Sequence, residues 1–248
     1  MSKIVLLSRH YIEDAVCSST TRLFLCFLLI AIMGGEFVAR LGIIEQEVFR
    51  ISLQAFSLRL VAVMFIAAQV SASYSEQSRN GQLQVLMATE VSRSQYLAGR
   101  AVGLACYAFF LSSAVALSLA FWVFEPALLV WAAGLFLELL VVGLFTLFVV
   151  ITYQTVAVAM ILTAAFYLLA RLIEPLTLMA GNPAVGLTGD LLVALRSILP
   201  DLGRFNQVDW LVYGVDEGVS SLATGLEGVL FGLLVYCAVH IDFRRRQL

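Results

Sequence analysis

The run from residue 126 to residue 170 constrains this chain most, because it carries one charged residue, Glu138, in 45 positions. As a single helix it would be about 67 Å long, roughly twice the thickness of the hydrocarbon core of a bilayer. The run therefore predicts a helical hairpin inside a membrane. The polar cluster Thr-Tyr-Gln-Thr at 152–155 is the best place for the turn of this hairpin.

Other apolar runs bring the number of predicted membrane crossings to six. They lie at about 23–44, 51–74, 97–124 and 222–242, beside the two arms of the hairpin. Charged residues make up 13% of the chain, about half the ~25% that is usual in soluble domains. The predicted fold is an all-α integral membrane protein with a single transmembrane domain over residues 1–248.

Two segments beside the crossings have their own patterns. Within residues 1–22, the apolar positions 4, 7, 11, 12, 15 and 16 lie near one helical face, which predicts an amphipathic helix at the membrane interface. Residues 175–221 contain three prolines and a short apolar stretch at 190–199 that cannot cross a bilayer. This stretch predicts a re-entrant or interfacial helix in an outer-side segment before the sixth span.

The distribution of basic residues predicts which side of the membrane each segment occupies. Six crossings place both termini on one side, together with residues 75–96. That side carries nine basic residues, and the other side carries five (Arg40, Arg50, Arg171, Arg196 and Arg204). The positive-inside rule therefore predicts that both termini and the 75–96 segment are cytoplasmic.

Several classes of function are excluded or disfavoured by what the sequence contains. Lys3 is the only lysine, so the chain has neither the lysine of a phosphate-binding loop nor a basic tail for nucleic acid. The four cysteines are far apart, and His10 and His240 lie near opposite ends. We therefore expect no catalytic, cofactor or metal site in this chain.

The polar segment 75–93 is the unusual feature between two apolar runs. Leu83, Leu86 and Met87 are spaced i, i+3 and i+4, so they share one face of a helix. A short helix of this kind is marginal by itself in water. It is stabilised either by lying on the bilayer or by docking into a groove of a partner.

The same segment resembles the coupling-helix region of ABC-2-type transporter permeases. The matching residues are Glu76, Gly81, Leu83, Leu86, Val91, Ser92, Arg93, Gly99 and Arg100. The sequence departs from the family pattern at three positions, where Gln82 replaces a threonine, Glu90 a proline and Arg100 a lysine. Residues 199–206, Leu-Pro-Asp-Leu-Gly-Arg-Phe-Asn, are similar to a second stretch found in some members.

The resemblance implies the membrane subunit of an ATP-binding cassette exporter with the type V exporter fold. A separate ATPase subunit would bind ATP and Mg²⁺, and two permease copies, identical or related, would assemble in a bilayer, with the bacterial inner membrane as the expected location. The residues implied to contact the ATPase are Glu76, Arg79, Gly81, Gln82, Leu83, Leu86, Met87 and Arg93. The alternatives are a passive channel or membrane scaffold and, less favoured, an intramembrane enzyme.

Ionisable residues inside predicted spans are candidates for structural or functional roles. Glu36 and Arg59 each lie eight residues from the predicted outer end of their span, so an ion pair between them is expected. Snorkelling of each side chain, a Glu36–Arg40 pair on one helix and direct contact with substrate are the alternatives. Glu138 is the candidate for a polar residue that lines a cavity.

Overall fold

The computed structural model describes residues 3–40, 46–82, 92–123, 126–180 and 221–245, together with 192–214 apart from 193, 198 and 206. The described part of the chain is entirely helical apart from turns and connections. Its helices are α1 (Lys3–Cys17), α2 (Ser19–Ala39), α3 (Gln46–Arg79), α4 (Arg93–Leu119), α5 (Pro126–Tyr153), α6 (Val156–Ala180), α7 (Asp209–Tyr213) and α8 (Ser221–Arg245).

Six of these helices, α2 to α6 and α8, are long and apolar enough to cross a membrane, which indicates an integral membrane protein. We call the end of the bundle where α3 and α5 end and α4 begins the proximal end. There Arg93 of α4 donates a hydrogen bond to the carbonyl oxygen of Arg244 in α8, and Thr152 of α5 donates one to Asp242. The opposite end is the distal end.

The predicted hairpin is confirmed in the structure. Helix α5 ends at Tyr153 and α6 begins at Val156. Gln154 has a positive φ of 54°, a conformation that polar residues adopt more readily than apolar ones. The predicted turn at 152–155 therefore lies at the observed one.

Helix α5 is the centre of the bundle, because it packs against α3, α4, α6 and α8. A helix enclosed on all sides needs apolar residues around its whole circumference, which explains why this part of the sequence is so uniform. Trp131, Leu135 and Leu139 are completely buried. Glu138 is also completely buried, one turn after Gly134.

Helix α1 packs along α4. Tyr11 and Ala15 are buried there, whereas Leu6, on another face, is exposed. The approach is close because position 103 is a glycine: a Cβ added there would lie 2.5 Å from the ring of Tyr11. Helix α1 continues into α2 through Ser18, whose hydroxyl caps the new helix by accepting the Thr21 N–H at 3.1 Å. The prediction that this N-terminal helix lies at the membrane interface stays a prediction.

The prediction that the fifth span ends near residue 170 is wrong. Helix α6 continues through Pro175 to Ala180. A proline removes one backbone hydrogen bond, a loss that membrane helices tolerate when their neighbours supply other contacts. Here Arg171, Glu174 and Thr177 all contact the segment that follows α6, which holds the helix together beyond the proline.

The described residues between 199 and 214 fold back onto the distal part of the bundle. Their 3₁₀ turn, Leu202–Arg204, packs on α6, and α7 packs on α3 and α5. Leu202, Phe205 and Trp210 are buried. Within the predicted helix at 190–199, residues 194–197 are helical and the rest is described only in part.

Candidate partner-binding face at the proximal end

The proximal end is where α3 leaves the apolar part of the bundle. The helix has 34 residues, or about 51 Å, against roughly 30 Å of hydrocarbon. Its last nine residues carry seven polar side chains. An upright helix of this length would leave about 20 Å outside the hydrocarbon, and the polar residues at the end of α3 suit such a position.

Local signals fix where α3 ends and α4 begins. The N–H of Asn80 bonds to the carbonyl oxygen of Glu76, and Gly81 follows with a φ of 67°, which suits a glycine after a helix end. At the start of α4, Ser92 and Gln95 form a capping box with bonds of 3.2 and 3.1 Å. Both edges of the 83–91 segment are thus held by specific local structure.

A polar cleft of about 370 Å³ opens between the start of α2 and the end of α3. We call it the proximal cleft. Six of its polar lining residues are Asp14, Gln69, Glu76, Gln77, Asn80 and Gln82. Asp14 and Glu76 give the cleft a negative charge, and the amide side chains around them both donate and accept hydrogen bonds.

Arg100 joins three helices beneath this cleft, and its side chain is buried. It donates hydrogen bonds to Gln77 at 2.6 Å, to the Tyr96 hydroxyl at 3.1 Å and to Ser73 at 3.2 Å. The guanidinium also lies 5.2 Å from the centre of the Tyr11 ring, within the range of a cation–π contact. We call this set of contacts the proximal tie.

The proximal tie links α1 to the ends of α3 and α4. Tyr11 of α1 lies between Arg100 and Gly103, and burial raises the pKa of its hydroxyl to about 12. The Tyr11 side chain is therefore neutral at physiological pH. A displacement of α3 relative to α4 has to break hydrogen bonds of Arg100 and so also disturbs α1.

The predicted ATPase-contact residues other than Arg93 fall into three groups. Glu76, Arg79 and Gln82 are exposed at the proximal end, and Glu76 and Gln82 line the proximal cleft. Gly81 ends α3, as described above. Leu83, Leu86 and Met87 lie outside the described residues.

Arg93, the remaining predicted contact residue, bonds to another helix of the same chain. Its guanidinium donates to the carbonyl oxygens of Arg244 at 3.1 Å and Phe243 at 3.4 Å. These carbonyls belong to the last described turn of α8. Arg93 therefore fixes the start of α4 against the end of α8.

The structure does not bring Glu36 and Arg59 together. Glu36 pairs with Arg40 at 3.2 Å, which was one of the alternatives, and with Arg50 at 3.5 Å. The expected pair required equal depths, but Glu36 lies three residues before the end of α2 and Arg59 lies 13 residues after the start of α3. These positions are about 5 Å and about 20 Å from their helix ends.

Glu138 lies in a second buried polar group, which contains Arg59 of α3 and Tyr167 and Arg171 of α6. Arg171 is 3.7 Å from the Glu138 carboxylate and donates a bond of 2.7 Å to the Leu202 carbonyl oxygen. The Tyr167 hydroxyl bonds to Glu138, and Arg59 acts electrostatically on Tyr167 and Arg171. We call this group the distal network.

The distal network continues outward through the 199–205 segment. Arg204 contacts Glu174 at 3.1 Å and Asp201 at 3.1 Å, and Arg196 lies 3.8 Å from Glu174. Burial raises the pKa of Asp201. Because alternating charges fill this region, the network joins α3, α5 and α6 to the segment that covers them.

Two central residues, Arg100 and Arg171, were not predicted as site residues. A signal for Arg100 exists, because it follows Ser92 by eight residues and the next 24 residues of the sequence, 101–124, carry no charge. The predicted position of Arg171 is the outer end of a span, so its contact with the buried Glu138 was not expected. In the described part of the chain, no group of three or more histidine, cysteine or carboxylate residues could hold a metal ion.

No protein-family model matches the sequence, and no curated protein is similar to it.

Proposed function

We propose that this chain is the transmembrane permease subunit of an ATP-binding cassette exporter, driven by a separate ATPase subunit that docks on the proximal end. The observation that carries the proposal is the projecting polar end of α3, which stands beside a polar cleft and flanks the 83–91 segment. A passive channel or scaffold has no need for such a projecting face.

The contacts of the proximal end support a mechanical role. The 83–91 segment joins α3 to α4, and Arg100 joins both of these helices to α1. A force applied by a partner to the segment would therefore act on three helices as a unit. Rigid-body movement of packed helices is a common way to transmit such a change.

The rest of the proposal follows the same resemblance. The proximal end is cytoplasmic, α1 lies at the membrane interface, and residues 199–214 form a re-entrant or interfacial cover at the outer face. Two permease copies assemble with two ATPase subunits, which bind ATP and Mg²⁺, in a bacterial inner membrane. ATP can drive the change only if the ATPase binds the two states of the permease with different affinities.

The test is to purify the tagged chain from its native membrane and identify a co-purifying subunit that carries a G-x-x-x-x-G-K-[ST] motif. Its ATPase activity is then measured in liposomes. We expect Leu83→Asp and Leu86→Asp to reduce both recovery of the subunit and ATPase activity at least tenfold, because an apolar docking face would gain a buried charge.

Gln84→Asp is the matched control, since it adds the same charge next to the Leu83–Leu86 face rather than on it. This variant should retain both the ATPase subunit and the activity. A complex that tolerates all three substitutions would contradict the proposal. So would a chain that never co-purifies with a nucleotide-binding subunit.

A further inference from the structure

An apolar groove of about 350 Å³ runs between α4, α5 and α8 on the outside of the bundle. We call it the α4–α8 groove. Its floor and walls include Ala98, Ala101, Ala105, Leu144, Gly232 and Tyr236. The groove exists because small residues recur at i, i+3 and i+7 on α4 and meet a glycine on α8.

The shape of the groove suits a flexible apolar chain. Val102 and Leu233, which also line it, are exposed at its rim. At Gly232 an added Cβ would meet only Leu144, at 3.7 Å, so the space in front of this glycine is open. A bilayer offers the occupant no hydrophobic gain over ordinary lipid, so occupancy has to depend on fit and on charge.

Helix α8 supplies a positive charge, that of Arg244, on the proximal side of the groove. Gly232 and Tyr236 of α8 line the groove, and His240 and Arg244 follow them in steps of four residues, each of which turns about 40° further round the helix. The rings of Tyr236 and His240 stack with their centres 6.4 Å apart. Arg244 is exposed at the proximal end, about 12 Å along the helix from Tyr236.

The residues of α8 that line the groove, from Tyr236 back to Val229, lie about 12–22 Å along the helix from Arg244. With a hydrocarbon layer of about 15 Å per leaflet, the groove lies at the depth of the inner part of the proximal leaflet and the bilayer midplane. A headgroup at Arg244 would place an acyl chain of the same molecule along the groove. Arg93 fixes the last turn of α8 by its bonds to the carbonyl oxygens of Phe243 and Arg244. These bonds hold the backbone of Arg244 at the proximal end of α8, beyond Tyr236, the last residue of α8 that lines the groove.

We propose that the α4–α8 groove binds one acyl chain of an anionic phospholipid from the proximal leaflet, with the lipid phosphate held by Arg244. The proposal is independent of the ATPase, because it depends on residues of this chain alone.

Native mass spectrometry of the detergent-purified chain, after incubation with phosphatidylglycerol or phosphatidylcholine of the same acyl chains, tests the proposal. We expect one phosphatidylglycerol per chain to be retained preferentially. Arg244→Gln should reduce this preference about fivefold, the effect of one basic side chain at an anionic membrane surface. Arg245→Gln, about 100° further round the helix, should leave it unchanged.

Gly232→Leu fills the groove and should abolish retention of both lipids. Gly225→Leu is its control, since it places the same side chain on the same helix, where a Cβ would meet only Leu137, at 3.9 Å. If Gly232→Leu does not fold, Ala101→Leu narrows the groove from α4 instead. A folded groove-filling variant that retains lipid like the unchanged chain would overturn the proposal.

Two other outcomes would also overturn it. Equal losses for Arg244→Gln and Arg245→Gln would show a general attraction to basic residues instead of a site. A dimer whose formation is abolished by Gly232→Leu and Ala101→Leu, with no retained lipid, would assign the groove to a second copy of this chain.

Discussion

The proximal tie and the distal network each hold an arginine among three elements, but they stabilise its charge differently. Arg100 is held by neutral groups, namely Gln77, Tyr96, Ser73 and aromatic rings. Arg171 lies between the Glu138 carboxylate and a backbone carbonyl, with Arg59 nearby.

The difference reflects depth. Arg100 lies seven residues after the start of α4, near the proximal end, where polar side chains of α3 and α4 are within its reach. Glu138 and Arg171 lie further from the helix ends, where an unpaired charge is much more costly. Neutral partners are sufficient near a membrane surface, whereas the centre of the bundle requires opposite charges.

Removal of the Glu138 charge should have the largest effect on stability. Glu138→Gln leaves Arg171 and Arg59 without their buried carboxylate, so we expect a loss of about 3–5 kcal/mol in the free energy of unfolding. Titration with SDS in mixed micelles measures this value. The double variant Glu138→Gln with Arg171→Gln should recover part of the loss.

Ser112→Ala is the control for that experiment, because it removes one buried hydrogen bond of 2.7 Å between α4 and α5 without removing a charge. Its cost should be about 1 kcal/mol. Equal losses for Glu138→Gln and Ser112→Ala would show that the Glu138 charge is not what stabilises the centre.

Substitution of Arg100 tests the other half of the comparison. Arg100→Met leaves only neutral groups without partners, so we expect a smaller loss of about 2–3 kcal/mol. Arg100→Lys should lose nearly as much, because a lysine cannot reproduce the planar contacts of the guanidinium. Hydrogen exchange should rise in α1 in both variants, and protection that stays unchanged there would contradict the proposed link to α1.

The close packing of α1 on α4 gives a prediction of intermediate size. Gly103→Ala places a Cβ 2.5 Å from Tyr11 and should cost about 1–3 kcal/mol. Gly34→Ala is the matched control, because nothing lies within 4 Å of its Cβ. This control should be neutral or slightly stabilising. If the thermal unfolding midpoint falls equally in both variants, the Tyr11 side chain moves away from the added Cβ at little cost in stability.

The smallest effect is expected for the Glu36–Arg40 pair at the distal end. The Arg40 side chain is 78% exposed, so Arg40→Ala should change the free energy of unfolding by no more than about 0.5 kcal/mol. Arg50 lies 3.9 Å from the centre of the Trp122 ring, and Arg50→Ala should cost about 1–2 kcal/mol. If Arg40→Ala lowers the free energy of unfolding more than Arg50→Ala does, the exposure of the two side chains does not explain the difference in their contributions to stability.

The sequence predicts the helices better than the pairing of their charges. The hairpin turn near Gln154 and the six long helices follow from apolar run lengths alone. The partner of Glu36 does not follow, because it depends on helix ends that were placed several residues from the observed ones. The distal network does not follow either, since it requires α6 to continue past Pro175 and Leu202 to fold back onto Arg171.

The structure of the proximal end was only partly predictable from the sequence. The capping box at Ser92 and Gln95 can be read directly from the sequence, and Gly81 marks the end of α3. The meeting of Arg100 with Tyr11, 89 residues earlier in the chain, is a tertiary contact that local patterns do not encode.

The central claim is that the 83–91 segment lies on the cytoplasmic side and contacts an ATPase. In a variant with the four native cysteines replaced, Leu86→Cys can be labelled with a membrane-impermeant maleimide in right-side-out and inverted vesicles. We predict labelling only in inverted vesicles, and protection of the thiol when the ATPase subunit is bound. Labelling from the outer side, or equal labelling with and without that subunit, would contradict the account.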